Sequence, residues 1–341
     1  MLYYFRLLKM NYQSRLSGRG FQMERKYLIP HEGMFHKANL HCHSTHSDGK
    51  LTPEQLKNLY KSNGYSILAY TDHNVLNYFK EFDEPDFLVL CGYEADRTTN
   101  DAGQGFPKTC HFNAIARDPA KAVLIERPAT YDIECINEVI MKMVDAGYIV
   151  NYNHPGWSSE EPGDFLKLRG CTAMEIYNNT CEVLTHDGDA SLYYDLMLKH
   201  GMRIFCIATD DNHNFNLMPG RENWPSDNLG GWTMIKSSEL TYPAVIKAFE
   251  AGEFYCSNGP EIYDYYLEDD KLCIDCSPVQ YVYLKSTAIN GSGCHLSTKD
   301  DITHVEFDLT KARAVKNEPF VRIEIVDSRQ KMAFTNPLYL R

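Results

Sequence analysis

The stretch Asn39–Gly49, NLHCHSTHSDG, sets three histidines and an aspartate within eight positions, His41 to Asp48. The residues ANLHCH read as a strand running out into a polar loop. Alternate side chains of a strand share a face, so His41 and His43 point the same way and two imidazoles can reach one cation. His46 lies off that pairing, in the turn toward Asp48. Downstream, Thr52 is placed as an N-cap, Pro53 as the first helical residue and Gln55 as the partner that completes a capping box. Leu56, Leu59 and Tyr60 then share a face, and Gly64 ends the helix.

The same order, buried-looking strand first and polar group after, recurs in YSILAY before TDHN, FLVLC before GYE, YIVNYN before HPGW, and RIFCIA before TDDNH. Between these runs lie helical patterns such as Ile133, Ile136, Ile140, Met143 and Val144, which read as core. From about Met34 to Pro260 this is the pattern of parallel strands with helical crossovers. In parallel α/β barrels the carboxyl ends of the strands share one face, so distant ligands converge there. His41, His43, Asp48, His73, Glu94, His111, His154, Asp211 and His213 then form one set of six histidines, two aspartates and a glutamate. Nine donors exceed the needs of one tetrahedral ion. They suit two or three divalent ions of zinc, manganese or iron, bridged by a carboxylate or hydroxide.

Composition narrows the functional classes. With 34 Lys+Arg against 46 Asp+Glu, the formal charge of −12 argues against nonspecific attraction to nucleic acid or an anionic membrane. Eleven scattered cysteines read as reduced cytosolic thiols, including the Cys273/Cys276 pair in KLCIDCSP. No apolar run approaches the roughly 18 residues of a membrane span, and Arg6, Lys9 and Arg15 break any signal-peptide core. Met23 is a plausible alternative start, leaving residues 1–22 as an upstream extension. A cytoplasmic enzyme with a small-molecule substrate is expected, with neither a stable nucleic-acid partner nor a membrane.

The motifs HCH with SDG, TDH, GYE, CHF, NHP and DNH, in that order over about Phe35 to Pro260, resemble those of the PHP (polymerase and histidinol phosphatase) superfamily of metal-dependent phosphoesterases. The resemblance implies a distorted, TIM-like (β/α)7 barrel with a trinuclear metal centre. By it, His41, His43, Glu94 and Asp211 are ligands of a first ion and Asp48, His73 and His213 of a second. Glu94 bridges to a third, held also by His111 and His154. Asp48 stands where some members have a histidine, and Asp210 beside Asp211 leaves two carboxylates for one role, with the Asp-x-His spacing favouring Asp211. Later segments, including GGWTMIKS, resemble the CehA/McbA metallohydrolases, some of which cleave esters or carbamates. The expected domains are an N-terminal extension over 1–34, the barrel over 35–261 and a small antiparallel β domain over 262–341, the last read from its alternating apolar and polar residues.

The expected reaction is hydrolysis of a small phosphate ester, of a nucleotide or sugar phosphate, by a metal-activated hydroxide. A carboxylic or carbamic ester hydrolase and a non-catalytic metal-binding module are the alternatives. His46 reads either as an acid for the leaving group or as a solvated loop residue. Asp210, Asp72 and Asn153 adjoin presumed ligands and read as orienting partners or as turn residues, with Asp210 also a catalytic candidate. Arg97, Lys108 and Arg221 are phosphate-binding candidates or plain surface charges. Trp224 and Trp232 either stack on substrate or belong to the core. Glu175 and Asn178 end a strand and could line the pocket.

Overall fold

Strand propensity and helix caps divide the chain into short elements. The computed structural model describes residues 25–99, 106–287, 293–310 and 318–340; the proposed extension over 1–22 lies outside them. In chain order the elements are β1 (Arg25–Tyr27), β2 (Met34–Asn39), α1 (Pro53–Ser62), β3 (Ile67–Ala69), β4 (Leu88–Leu90), β5 (Gly92–Thr98), β6 (Thr109–Ala116), α2 (Ile133–Asp145), β7 (Tyr148–Tyr152), α3 (Pro162–Phe165), β8 (Ala173–Asn178), α4 (Asn179–Thr185), α5 (Ser191–Lys199) and β9 (Phe205–Thr209). There follow β10 (Trp232–Ser237), α6 (Tyr242–Ala251), β11 (Phe254–Ser257), β12 (Ile262–Glu268), β13 (Lys271–Val279), β14 (Tyr281–Lys285), β15 (Gly293–Leu296), β16 (Ile302–Asp308), β17 (Phe320–Val326), β18 (Met332–Thr335) and β19 (Leu338–Tyr339).

Local chemistry explains the helices. Thr52 caps α1, with both bonds of the capping box to Gln55 in place, and Leu56 and Tyr60 are buried. Asp132 caps α2 by accepting from the backbone N–H groups of Glu134 and Cys135, and Ile136, Val139, Ile140 and Met143 pack inward. No helix among the described residues is long and apolar enough to cross a membrane. All eleven cysteines are unbridged.

The chain is mixed α/β, and its strands make three sheets. A five-stranded sheet has the order β5-β6-β7-β8-β9, and a four-stranded sheet the order β1-β12-β13-β16. The largest runs β15-β14-β17-β18-β11-β10-β2-β3-β4, with β19 paired to β17. The C-terminal strands thus extend the sheet that contains β2, through the antiparallel pairing of β11 with β18.

One expectation is corrected here. The strands are not uniformly parallel: β5, β6 and β7 pair antiparallel, whereas β2-β3-β4 and β7-β8-β9 are parallel. Nor does a continuous ladder close the sheets into a barrel among the described residues. The five-stranded sheet meets the largest one through isolated bridges, Cys42 to Asn212 and His73 to Glu94. Regular pairing stops there because the backbone leaves the extended region: Asn74, Asp211 and Asn214 have φ of 54°, 53° and 62°. Left-handed conformations at non-glycine residues break a ladder and concentrate at functional sites.

Beneath these bridges Ala38, Leu40, Ile67, Ala69, Ile115, Ile149, Ala173, Ile207 and Ile235 form an apolar layer. A second core, including Tyr93, Phe112, Ile136, Ile140, Tyr152 and Tyr194, packs the helices against the outer face of the five-stranded sheet. The interrupted ends of the strands therefore stand on rigid packing, and their side chains make the site.

Candidate metal centre

The loop after β2 is held by unusually specific contacts. A Cβ on Gly49 would lie 2.3 Å from the carbonyl oxygen of His43, so only glycine lets the SDG turn fold back onto the strand. Asp72 secures the same loop, accepting from the backbone N–H of Ser44 at 2.7 Å and from the hydroxyls of Ser44 and Ser47, each at 2.9 Å. Asp211 donates its backbone N–H to the His41 carbonyl, and His43 donates to that of Asn212. Groups about 170 positions apart in the chain are thereby registered on one another.

All nine expected donors converge. They fall into overlapping groups whose ligand atoms lie within 4.8 Å of one another: His43, Asp48, His73 and His213; His41, Glu94 and His154; His41, His43 and Asp211; and His73, Glu94 and His111. The grouping differs in part from the expected one. His43 also joins the Asp48 group, and His111 shares Glu94 with His73 while His154 shares it with His41.

Glu94 is the centre of this arrangement. Its Oε1 is 3.0 Å from His111 Nδ1, 3.3 Å from His41 Nε2 and 3.5 Å from His154 Nε2. Its Oε2 is 3.1 Å from His73 Nδ1 and 3.4 Å from His43 Nε2. His41 Nε2 and His43 Nε2 stand 3.1 Å apart, and Asp211 Oδ1 lies 3.1 and 3.0 Å from them.

In His41, His154 and His213 the other ring nitrogen is held by a partner outside the cluster or on the backbone, which fixes which nitrogen faces the cluster. His41 donates from Nδ1 to Glu175 at 2.7 Å, and His213 donates from Nδ1 to the Asp211 carbonyl at 2.8 Å. His154 Nδ1 is 3.1 Å from the Ser158 hydroxyl. Glu175 also accepts from the Thr209 hydroxyl, the His154 backbone N–H and the Asn178 amide, at 2.6, 3.0 and 2.9 Å.

The charges are mutually dependent. Burial opposes charge on His41, but Asp211, Glu94 and Glu175 outweigh it and hold its pKa well above the ordinary value. Burial likewise opposes ionisation of Glu94, yet His41, His111 and His73 keep its carboxyl well below the usual range. His43 is pushed down to about 4 by burial and by the neighbouring charge of His213. His213 is pushed up to about 9, because Asp48 and Asp211 overcome its burial.

This donor set fits divalent metal ions. Bonds of about 2.0–2.1 Å in a tetrahedral shell put neighbouring ligand atoms about 3.3–3.4 Å apart, and His41, His43, Glu94 and Asp211 approach that spacing at 3.0 to 3.4 Å. His73 Nδ1 and Glu94 Oε2 are buried with no hydrogen-bond partner. Buried polar atoms rarely go unsatisfied in native proteins, and a shared cation supplies what both lack.

Residues 39–195 match the family model of the PHP domain. Over these residues, somewhat under half of its length, the chain is similar to a PHP domain. Seven of the nine donors fall within the matched residues, and Asp211 and His213 follow them. No curated protein matches the chain significantly. Among solved structures, a two-domain protein containing a predicted PHP-like metal-dependent phosphoesterase from Bacteroides vulgatus is 15% identical with a TM-score of 0.45, over 94% of this chain and 100% of that one. An amidohydrolase from Chromobacterium violaceum, with sulfate bound and no metal, is 17% identical with a TM-score of 0.38, over 54% of this chain and 88% of that one.

Other expected residues lie outside the cluster. Asp210 is committed elsewhere: its carboxylate accepts from the Tyr60 hydroxyl at 2.7 Å and from the backbone N–H groups of Leu229, Gly230 and Gly231 at 2.7, 2.8 and 2.9 Å. It anchors a loop and stands outside the grouped ligand atoms. His46 is exposed, its Nδ1 2.9 Å from Asn77 Oδ1.

Strand parity sets Arg97 and Lys108 apart from the cluster. Glu94 and Asp96 share one face of β5 and His111 the same face of β6, so Arg97 and Lys108 project from the opposite one. Arg97 donates to the Pro128 carbonyl, and Lys108 pairs with Glu161 and Asp164 at 2.5 and 2.9 Å. Trp232 packs with the core around Tyr60 and Tyr65; Trp224 is exposed.

Two groups near the cluster escaped the sequence reading. Asp96 stands opposite His111 in the β5/β6 register, with Oδ1 3.8 Å from His73 Nδ1. Its position two residues after Glu94 was the available signal. Trp157, 41% exposed, presents its ring edge-on to His154 at 5.0 Å and to His111 at 5.7 Å.

Proposed function

We propose that this chain is a metal-dependent hydrolase that cleaves a small phosphate ester, of a nucleotide or sugar phosphate, at a centre of two or three divalent ions. The observation that supports it most is Glu94, which reaches five imidazoles through its two oxygens. A carboxylate in that position suits bridging between ions rather than closing one structural site. Bound divalent ions lower the pKa of water toward neutrality and neutralise charge developing on a phosphoryl oxygen.

The chain's own residues have separate tasks in this reading. His41, His43, Glu94 and Asp211 hold one ion, and Asp48, His73 and His213 the next, with His111 and His154 completing the set around Glu94. Glu175 and Ser158 orient His41 and His154, so that Nε2 of each is presented. The open side lies at Asp48, His73 and His213: their side chains are 54%, 26% and 11% exposed, against 1% for Glu94. A substrate approaches there.

A closed TIM-like barrel over 35–261 and a C-terminal β unit belong to the same reading, supported by the bridges on both margins of the five-stranded sheet. A cytoplasmic location is supported by the unbridged cysteines. The test is turnover of p-nitrophenyl phosphate, bis-p-nitrophenyl phosphate and p-nitrophenyl acetate, with His41→Ala as control. Metal-dependent release from a phosphate ester, abolished by His41→Ala, is expected. Turnover of the acetate alone would move the reading to carboxyl esters, and full activity in His41→Ala would refute the site.

A further inference from the structure

The open side of the cluster is bordered by a loop, Asn214 to Asp227, whose two ends are tied together. Asp227 accepts from the backbone N–H of His213 at 2.7 Å and from that of Asn214 at 2.9 Å. A surface loop with pinned ends holds its side chains in place without a helix or strand beneath them. Inside it, the Phe215 ring stacks on His213 with centroids 4.9 Å apart and planes 11° from parallel. The guanidinium of Arg221 lies over Phe215 at 5.5 Å and over Trp224 at 4.3 Å. Arg221 is therefore no farther from the His213 ring than these two short steps allow.

Stacking engages the faces of a guanidinium and leaves its in-plane N–H donors unspent. Three other cations are already occupied: Arg97 by a carbonyl, Lys108 by two carboxylates, Arg127 by Asp96. Arg221 has no carboxylate within ion-pair distance among the described residues. Its planar fork matches a carboxylate or a phosphate. A chain of net charge −12 disfavours anions at long range, so such a substrate needs a local cation of this kind.

We propose that Asn214–Asp227 is a substrate-recognition loop and that Arg221 binds a second anionic group, carboxylate or phosphate, on the leaving group of the ester cleaved at the cluster. The inference rests on the phosphoesterase reading above. Its test compares three esters under the same metal loading: phenyl phosphate, 4-carboxyphenyl phosphate and 1,4-phenylene bisphosphate. The native protein should prefer one or both of the esters that carry a second anionic group in kcat/KM by about tenfold to a hundredfold, the range of a charge-assisted hydrogen-bond pair, with the gain in KM rather than kcat. Which of the two gains more distinguishes a carboxylate from a phosphate.

In Arg221→Ala that preference should collapse toward unity, and Arg221→Lys should restore part of it. A thermal melt shows whether each variant is folded. If phenyl phosphate is cleaved with no preference for the others, or if Arg221→Ala lowers all three equally, the recognition role is overturned and the phosphoesterase reading stands. If none of the three is cleaved by metal-loaded protein, both fall.

Discussion

Replacing Glu175 by Gln probes the support of the cluster rather than the cluster itself. Both carboxylate oxygens are fully used: Oε1 accepts from His41 Nδ1 and the Thr209 hydroxyl at 2.7 and 2.6 Å, and Oε2 from the His154 backbone N–H and the Asn178 amide at 3.0 and 2.9 Å. A glutamine must turn its amino group toward one of these two pairs, where it meets donors. Asn178 cannot turn to compensate, because its own Oδ1 caps α4 through the Cys181 N–H at 2.9 Å. A buried donor left unsatisfied costs about 1–3 kcal/mol, so the variant should lose about 2 kcal/mol or more in a urea titration of the metal-free protein. Loss of a carboxylate that orients a ligating histidine typically weakens metal binding about 10–100-fold, which a calorimetric titration with zinc reads directly. A Gln variant with native stability and native zinc affinity would refute the claim that Glu175 aims His41.

Glu160, buried against Tyr152 and Tyr131, has its pKa pushed up to about 7 from 4.5, chiefly by burial. A carboxyl raised on folding favours the fold below its unfolded pKa, and the advantage is lost as pH rises through the folded value. Relative to Glu160→Gln, the native protein should lose about 3 kcal/mol between pH 4.5 and pH 7; a difference that does not vary with pH would contradict this. Asp210→Asn should lower the melting temperature, since a loop anchor then faces three backbone N–H groups with a poorer acceptor, yet keep its metal content; the reverse pattern would return Asp210 to the centre. Chelation should destabilise the native protein, because ions that bind only the folded state add to its stability. Equal unfolding midpoints with and without chelator would count against bound metal.

The residues that gather in the cluster were legible in the sequence because strand parity and strand ends are local signals. His41 and His43 share a face by alternation alone, and His73, His154 and Asp211 each follow an apolar run. The same parity, applied one strand further, separates Arg97 from Glu94 and picks out Asp96. Pairing direction was less legible. Nothing in TCHFNAIA distinguishes an antiparallel β6 from a parallel one, since direction is set by how the connections close rather than by the strand residues. Asp210 and Asp211 are adjacent and chemically alike; the left-handed backbone of Asp211 and the amides of Leu229 to Gly231 separate their roles. The place of Arg221 near His213 depends on the Phe215 ring stacked on that histidine, a contact that no local sequence pattern carries.

Metal content tests the central claim most directly. Elemental analysis of the folded, purified protein should find two or three divalent ions per chain, and His41→Ala should reduce that number. A native protein that folds correctly, is saturated with zinc, manganese or iron, and still retains fewer than one ion per chain would contradict the account.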